Sequence, residues 1–177
     1  MRRPTPSLER SPRRLSHIVR MLALASVLVA AGEADAAETR LGPTSGLPMP
    51  RFASLKFGEV NGREGPSLAH PVVWQYRRRG LPVLIIEEDL EWRKVRDPDG
   101  DEVWINARGL DSRRMGLVRG APAELRRRPE GEAPVAAIAA PGVLFEIRSC
   151  RDGFMRVDGA RATGWVREGA LWGPGCE

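Results

Sequence analysis

Arg63-Glu64-Gly65-Pro66 and, a few residues on, Pro71-Val72 return 63 positions later as Arg126-Arg127-Arg128-Pro129 and Pro134-Val135. Working outward, Arg51 matches Arg114 at the same offset. Gly80 matches Gly142 and Val95 matches Val157 at an offset of 62, and Trp104 matches Trp165 and Leu110 matches Leu171 at 61. An offset that shrinks by single residues fits deletions in loops between fixed strands. The repeating unit, about sixty residues long, is a small domain and not a solenoid turn.

Within each copy the texture is short apolar runs broken by turns. Leu81-Pro82-Val83-Leu84-Ile85-Ile86 is a buried-strand pattern. Trp92 to Arg96, the turn Asp97-Pro98-Asp99-Gly100 and Glu102 to Asn106 read as a hairpin. The second copy repeats this plan, with Val143 to Ile147, Phe154 to Val157, the tight turn Asp158-Gly159 and a return from Gly164. Outside the first 36 residues no segment sustains a helical apolar period. The fold class is therefore all-β: two tandem small barrels, 50–111 and 112–172, and a short tail, 173–177. Sixty residues per copy suits a five-stranded barrel, since an immunoglobulin sandwich needs about 100.

Residues 1–36 read as a secretory signal peptide. Six arginines precede the apolar run Met21 to Ala31, and Ala34-Asp35-Ala36 has the small-x-small form of a cleavage site. The run is too short for a bilayer span, which needs about 20 residues. The expected mature chain starts at Ala37, in the periplasm or outside the cell, with no stable membrane insertion; an uncleaved anchor is the alternative. Residues 37–49, rich in glycine and proline, read as a flexible linker. The whole chain holds 28 Lys and Arg against 23 Asp and Glu, but six of the former and three of the latter fall in the leader, leaving a net of about +2. That balance gives no nucleic-acid signal. Cys150 and Cys176 both lie in the exported part, where an oxidising compartment permits one disulfide tying the tail to the second barrel; two free thiols are the alternative.

Val60-Asn61-Gly62-Arg63-Glu64-Gly65-Pro66-Ser67, Trp92-Arg93-Lys94-Val95 and Gly164-Trp165-Val166 before Leu171 resemble the bacterial SH3-like (SH3b) domain family. The stretch Trp74-Gln75-Tyr76-Arg77-Arg78-Arg79-Gly80-Leu81-Pro82-Val83 is similar to a tandem subgroup of exported proteobacterial proteins. The resemblance implies small barrels that bind cell-wall peptide or glycan, or an extended peptide. There are departures: Gly62 stands where a strand residue is usual, Val103 where glycine is usual, and Arg127-Arg128 replace the approach to the Gly-Pro-Ser loop. Phe154-Met155 removes the partner for a family-style short disulfide from Cys150.

Catalysis is poorly supplied. His70 is the one histidine outside the leader, so a His-rich zinc site cannot be assembled and neither cysteine has both a base and an orienting group. No phosphate-binding glycine loop precedes a helix. No cofactor or metal is expected. Two classes remain: a non-catalytic binding module of the cell envelope, and a structural or accessory envelope protein whose barrels mediate protein–protein contacts with no wall ligand. For the binding module, the ligand face is expected on the first barrel. Tyr76 and Trp92 would supply flat apolar contact there, and Arg63 with the run Arg77 to Arg79 would attract anionic groups; the alternative is that Arg63 braces its loop and both aromatics belong to the core. Asn61 is expected to cap the loop that Gly65-Pro66 turns.

Overall fold

A computed structural model of the protein describes residues 40–176. The leader, its cleavage after Ala36 and the start at Ala37 lie outside the described residues. A small hairpin comes first, with β1 at Arg40–Leu41 and β2 at Pro48–Met49 paired antiparallel. The first barrel follows: β3 Arg51–Leu55, β4 Val60–Arg63, β5 Val72–Tyr76, β6 Pro82–Asp89, β7 Trp92–Arg96, β8 Glu102–Asn106 and β9 Leu110–Asp111. The second holds β10 Met115–Val118, β11 Ala123–Arg126, β12 Val135–Ala139, β13 Leu144–Arg151, β14 Phe154–Asp158, β15 Thr163–Arg167 and β16 Leu171–Trp172.

The two sheets have one topology. Their orders are β5-β4-β8-β7-β6-β3-β9 and β12-β11-β15-β14-β13-β10-β16, so strand n of the first is strand n+7 of the second. Each has seven strands where five were expected. The extra pairings come from the segment before Gly80 or Gly142, which joins as an edge strand, and from a two-residue closing strand. Bulges repeat as well, between Gly62 and Arg63 and between Leu125 and Arg126. Each barrel has its own core. Leu55, Val83, Ile85, Val95 and Ile105 centre the first, and Val118, Leu125, Phe145, Val157 and Val166 the second.

Two of the departures from the family pattern explain each other. A Cβ on Gly62 would lie 2.7 Å from the Val103 side chain, and a Cβ on Gly164 would lie 3.0 Å from Leu125 Cβ. In the repeat, Gly62 corresponds to Leu125 and Val103 to Gly164. Each barrel thus holds one side chain and one glycine at this crossing, on opposite strands.

Residues 40–49 correct the expectation of a flexible linker. Gly42 to Leu47 is a closed turn, with Gly42 N–H donating to the Leu47 carbonyl at 2.8 Å. It is pinned by the buried Glu88 carboxylate of β6, which accepts from the amides of Thr44 (3.2 Å) and Ser45 (2.9 Å) and from the Ser45 hydroxyl (2.7 Å). Arg51 donates to the same carboxylate at 2.6 Å, and Arg93 stands 3.3 Å away. Burial raises the Glu88 pKa, but the bonds from Ser45 and Arg51 outweigh it and hold the group at about 2. A Cβ on Gly42 would fall 2.5 Å from the carboxylate, so glycine is required there. Met49 completes the attachment, buried in the first core.

At the other end, Cys150 on β13 is joined to Cys176 by a disulfide, with Cα atoms 5.7 Å apart. Glu168 accepts from the Cys176 amide at 2.7 Å, and Arg114 donates to the Gly175 carbonyl. The two barrels belong to one compact unit. Between them, Phe52 on β3 meets Trp172 on β16 edge-on, and Arg78 donates to the Gly142 carbonyl.

Candidate functional site

The four residues expected on one ligand face are divided by the structure between two depressions. Arg63 and Trp92 share a shallow one of about 230 Å³, with Asn61, Leu68 and Ile105. Arg63 is committed there: it donates to the carbonyls of His70 at 2.6 Å and Leu68 at 3.3 Å, bracing the Gly65–His70 loop. Arg126 repeats this brace on the Ala133 carbonyl at 2.7 Å. Asn61 does not cap the loop; its Oδ1 accepts from Gln75 across β4 and β5. Gly65 is needed for another reason, since a Cβ there would lie 2.5 Å from the His70 ring. The second copy has Arg128 and Ala133 at these places, and with the ring goes the need for glycine.

Trp92 is 9% exposed and Tyr76 5%, so neither offers the flat surface expected of it. Trp92 begins β7 opposite Asp89 and Asn106, covered at the base of the shallow depression and outside the cluster that forms the first core. Tyr76 ends β5 in the first core, where its hydroxyl donates to Asp97 Oδ2 at 3.2 Å. Burial, then the Asp97 charge, push the phenol pKa upward. Asp97 Oδ1 accepts from the amides of Asp99, Gly100 and Asp101, so this buried carboxylate fixes the β7–β8 turn and the tyrosine together. The hairpin turn read from the sequence is therefore a fastening point for the core.

The second depression, about 390 Å³, lies between the barrels. Trp74, Arg77 and Arg78 of the first barrel and Arg119 and Pro141 of the second line it, together with Asp97 and Asp99. Arg77 is exposed, and its guanidinium donates to Gln75 Oε1 at 3.0 and 2.8 Å. Trp74 was not singled out from the sequence, yet it is 50% exposed on an edge strand. Its signal was adjacency: an aromatic in a strand that runs directly into Arg77 to Arg79. Strand period alone would place it with Tyr76 on one face. The Trp74 ring does lie beside that of Tyr76, 6.2 Å away, yet it reaches solvent.

Among the described residues no group of three or more His, Cys, Asp or Glu is placed to hold a metal ion, and no helix is long and apolar enough to cross a membrane. No curated protein matches the chain. Among solved structures, NlpC2 from Trichomonas vaginalis is similar at 17% identity and a TM-score of 0.31, with 70% of this chain and 48% of that one covered. NlpC1 from the same organism is similar at 18% identity and a TM-score of 0.32, with 74% and 48% covered. The chain thus spans about half the length of these neighbours. The model of the bacterial SH3 domain matches twice, over residues 56–112 and 119–173, each match falling on one barrel. The chain belongs to the bacterial SH3 domain family and carries two copies of the domain in tandem.

Proposed function

We propose that this protein is a non-catalytic binding module of the cell envelope that holds cell-wall peptide or glycan in the cleft between its barrels. Bacterial SH3 domains often bind cell-wall material, and this chain has two. The observation that carries the reading is Trp74, half-exposed on a cleft of about 390 Å³ beside Arg77 and Arg119, with Arg78 held on the Gly142 carbonyl. A flat apolar face suits a sugar ring or a peptide side chain, and the arginines suit the carboxylates of wall peptides. Compared with the expected face, this site keeps Arg77, exchanges Tyr76 and Trp92 for Trp74, and releases Arg63 to its loop. The leader reading, which supplies the route to the periplasm or beyond, belongs to the same proposal.

The test is retention on purified peptidoglycan. The wild-type protein is expected to co-sediment with it, and Trp74→Ala to lose most of that retention while its melting temperature stays within a few degrees. Stacking of one aromatic on a polymer contributes about 1–3 kcal/mol in comparable sites. A wild-type protein that stays in the supernatant overturns the reading in favour of an accessory role in protein contacts. N-terminal sequencing of protein from the envelope fraction tests export, with Ala37 the expected first residue.

A further inference from the structure

The barrels differ where Tyr76 and Ala139 stand. Both residues end the edge strand, and they have equivalent partners: Tyr76 lies opposite Val60, and Ala139 opposite Ala123. In the first barrel the ring fills the core and its hydroxyl is received by Asp97. In the second the ring is gone, and the position of Asp97 is Gly159. Part of the lost volume is replaced from across the barrel, because Phe145 stands where the first copy has Val83. Its ring lies so close to Gly159 that a Cβ there would be 2.6 Å away.

Replacement is incomplete. An open pocket of about 490 Å³ remains, walled by Leu125, Ala137, Ala139, Phe145, Ala160 and Ala162. Pockets that take organic groups span about 300–1,000 Å³. Arg161 is the one charged residue lining it, and Arg161 is exposed with no described carboxylate in ion-pair distance. Beside the pocket runs β12, which pairs with β11 alone and ends its sheet, so its outer edge is open. Val135 (42%) and Ile138 (68%) are exposed along that edge. An open edge takes an added strand through main-chain bonds, and neighbouring pockets then read its side chains.

We propose that the second barrel binds an extended acidic peptide of a partner protein. The peptide adds to β12, one of its aromatic side chains enters the place that Tyr76 holds in the first barrel, and Arg161 pairs with a flanking carboxylate. An aromatic ring is the group this fold accommodates at that position, since the first barrel holds one there. A lone arginine at an apolar mouth complements an acidic sequence and opposes a basic one. This site is separate from the cleft of Trp74, and it is distinct in outcome as well as in place.

The test uses the full chain and two blocked pentapeptides, Glu-Val-Tyr-Val-Glu and Glu-Val-Ala-Val-Glu, by calorimetry and by methyl NMR. The tyrosine peptide is expected to bind at least about tenfold more tightly than the alanine peptide, and to shift the methyl resonances of Ala139 and Ala160. Ala139→Tyr, which restores the ring of the first barrel, should abolish binding with no fall in melting temperature. Arg161→Gln should weaken binding several-fold, and Trp74→Ala should leave it unchanged. Equal affinity for the two peptides, unmoved Ala139 and Ala160 methyls at saturating peptide, or undiminished binding in Ala139→Tyr would each overturn the proposal. So would a self-association of the wild-type chain that Ala139→Tyr dissolves, because the occupant would then be a second copy.

Discussion

Glu88 and Cys150 hold the same place in the two barrels: each lies opposite the second residue of the following strand, Arg93 or Met155, and each fastens a segment that flanks the barrels. Glu88 holds the turn at 42–47 through hydrogen bonds, and Cys150 holds the tail through a disulfide. The arginines that open β3 and precede β10 serve the same ends, Arg51 on Glu88 and Arg114 on the Gly175 carbonyl. One position in the domain is thus an attachment point, filled with different chemistry in each copy.

The Glu88 attachment is pH-dependent. Its folded pKa of about 2 lies below the ordinary glutamate value of 4.5. The stabilisation is therefore complete above about pH 4.5 and is lost as pH falls towards 2. The melting temperature should drop through that window. Glu88→Gln should be less stable at pH 7 and should flatten the drop, as read by thermal melts between pH 2 and 7.

Opening the disulfide should cost stability without abolishing the second barrel. The loop it closes spans 26 residues in sequence, for which chain entropy gives about 3 kcal/mol. Replacing both cysteines by serine should lower the unfolding free energy from denaturant titration by that amount, while the amides of β14 (Phe154–Asp158) stay protected in hydrogen exchange.

Trp92→Ala should act on stability and not on wall binding. The side chain is 9% exposed, and truncating a buried tryptophan costs about 3–5 kcal/mol. Chemical denaturation measures the loss. A variant as stable as the wild type would return Trp92 to the surface.

Phe52 and Trp172 couple the barrels, with ring centroids 5.1 Å apart at 90°. Edge-to-face pairs contribute about 0.5–1.5 kcal/mol beyond their buried area. Trp172→Ala should separate a single unfolding transition into two overlapping ones, visible in calorimetry, with Phe52→Ala adding little further.

The repeat, the β class and the hairpins are legible in the sequence because each is a local pattern: matched spacings, alternation, Asp-Pro-Asp-Gly. The ligand face is not, because exposure is decided by partners far along the chain. Tyr76 and Trp74 stand two residues apart on one strand, yet Tyr76 is received by Asp97 and Trp74 is left outside. Residues 42–47 look unstructured by composition, and only Glu88, some forty positions later, gives them a fixed shape. Arg63 resembles an attractor of anions in sequence, whereas the carbonyls that occupy it belong to its own loop.

The crossing of Gly62 with Val103, reversed as Leu125 with Gly164, bears on how these two copies can exchange genetic material. Similar neighbouring repeats invite recombination, and a crossover falling between the two strands would make a hybrid barrel. One hybrid would set Gly62 against Gly164 and leave a void; the reciprocal would set Leu125 against Val103 and collide. Either fault costs about 1–3 kcal/mol or more in a domain of this size. The swapped pair therefore makes either hybrid barrel less stable than both of its parents.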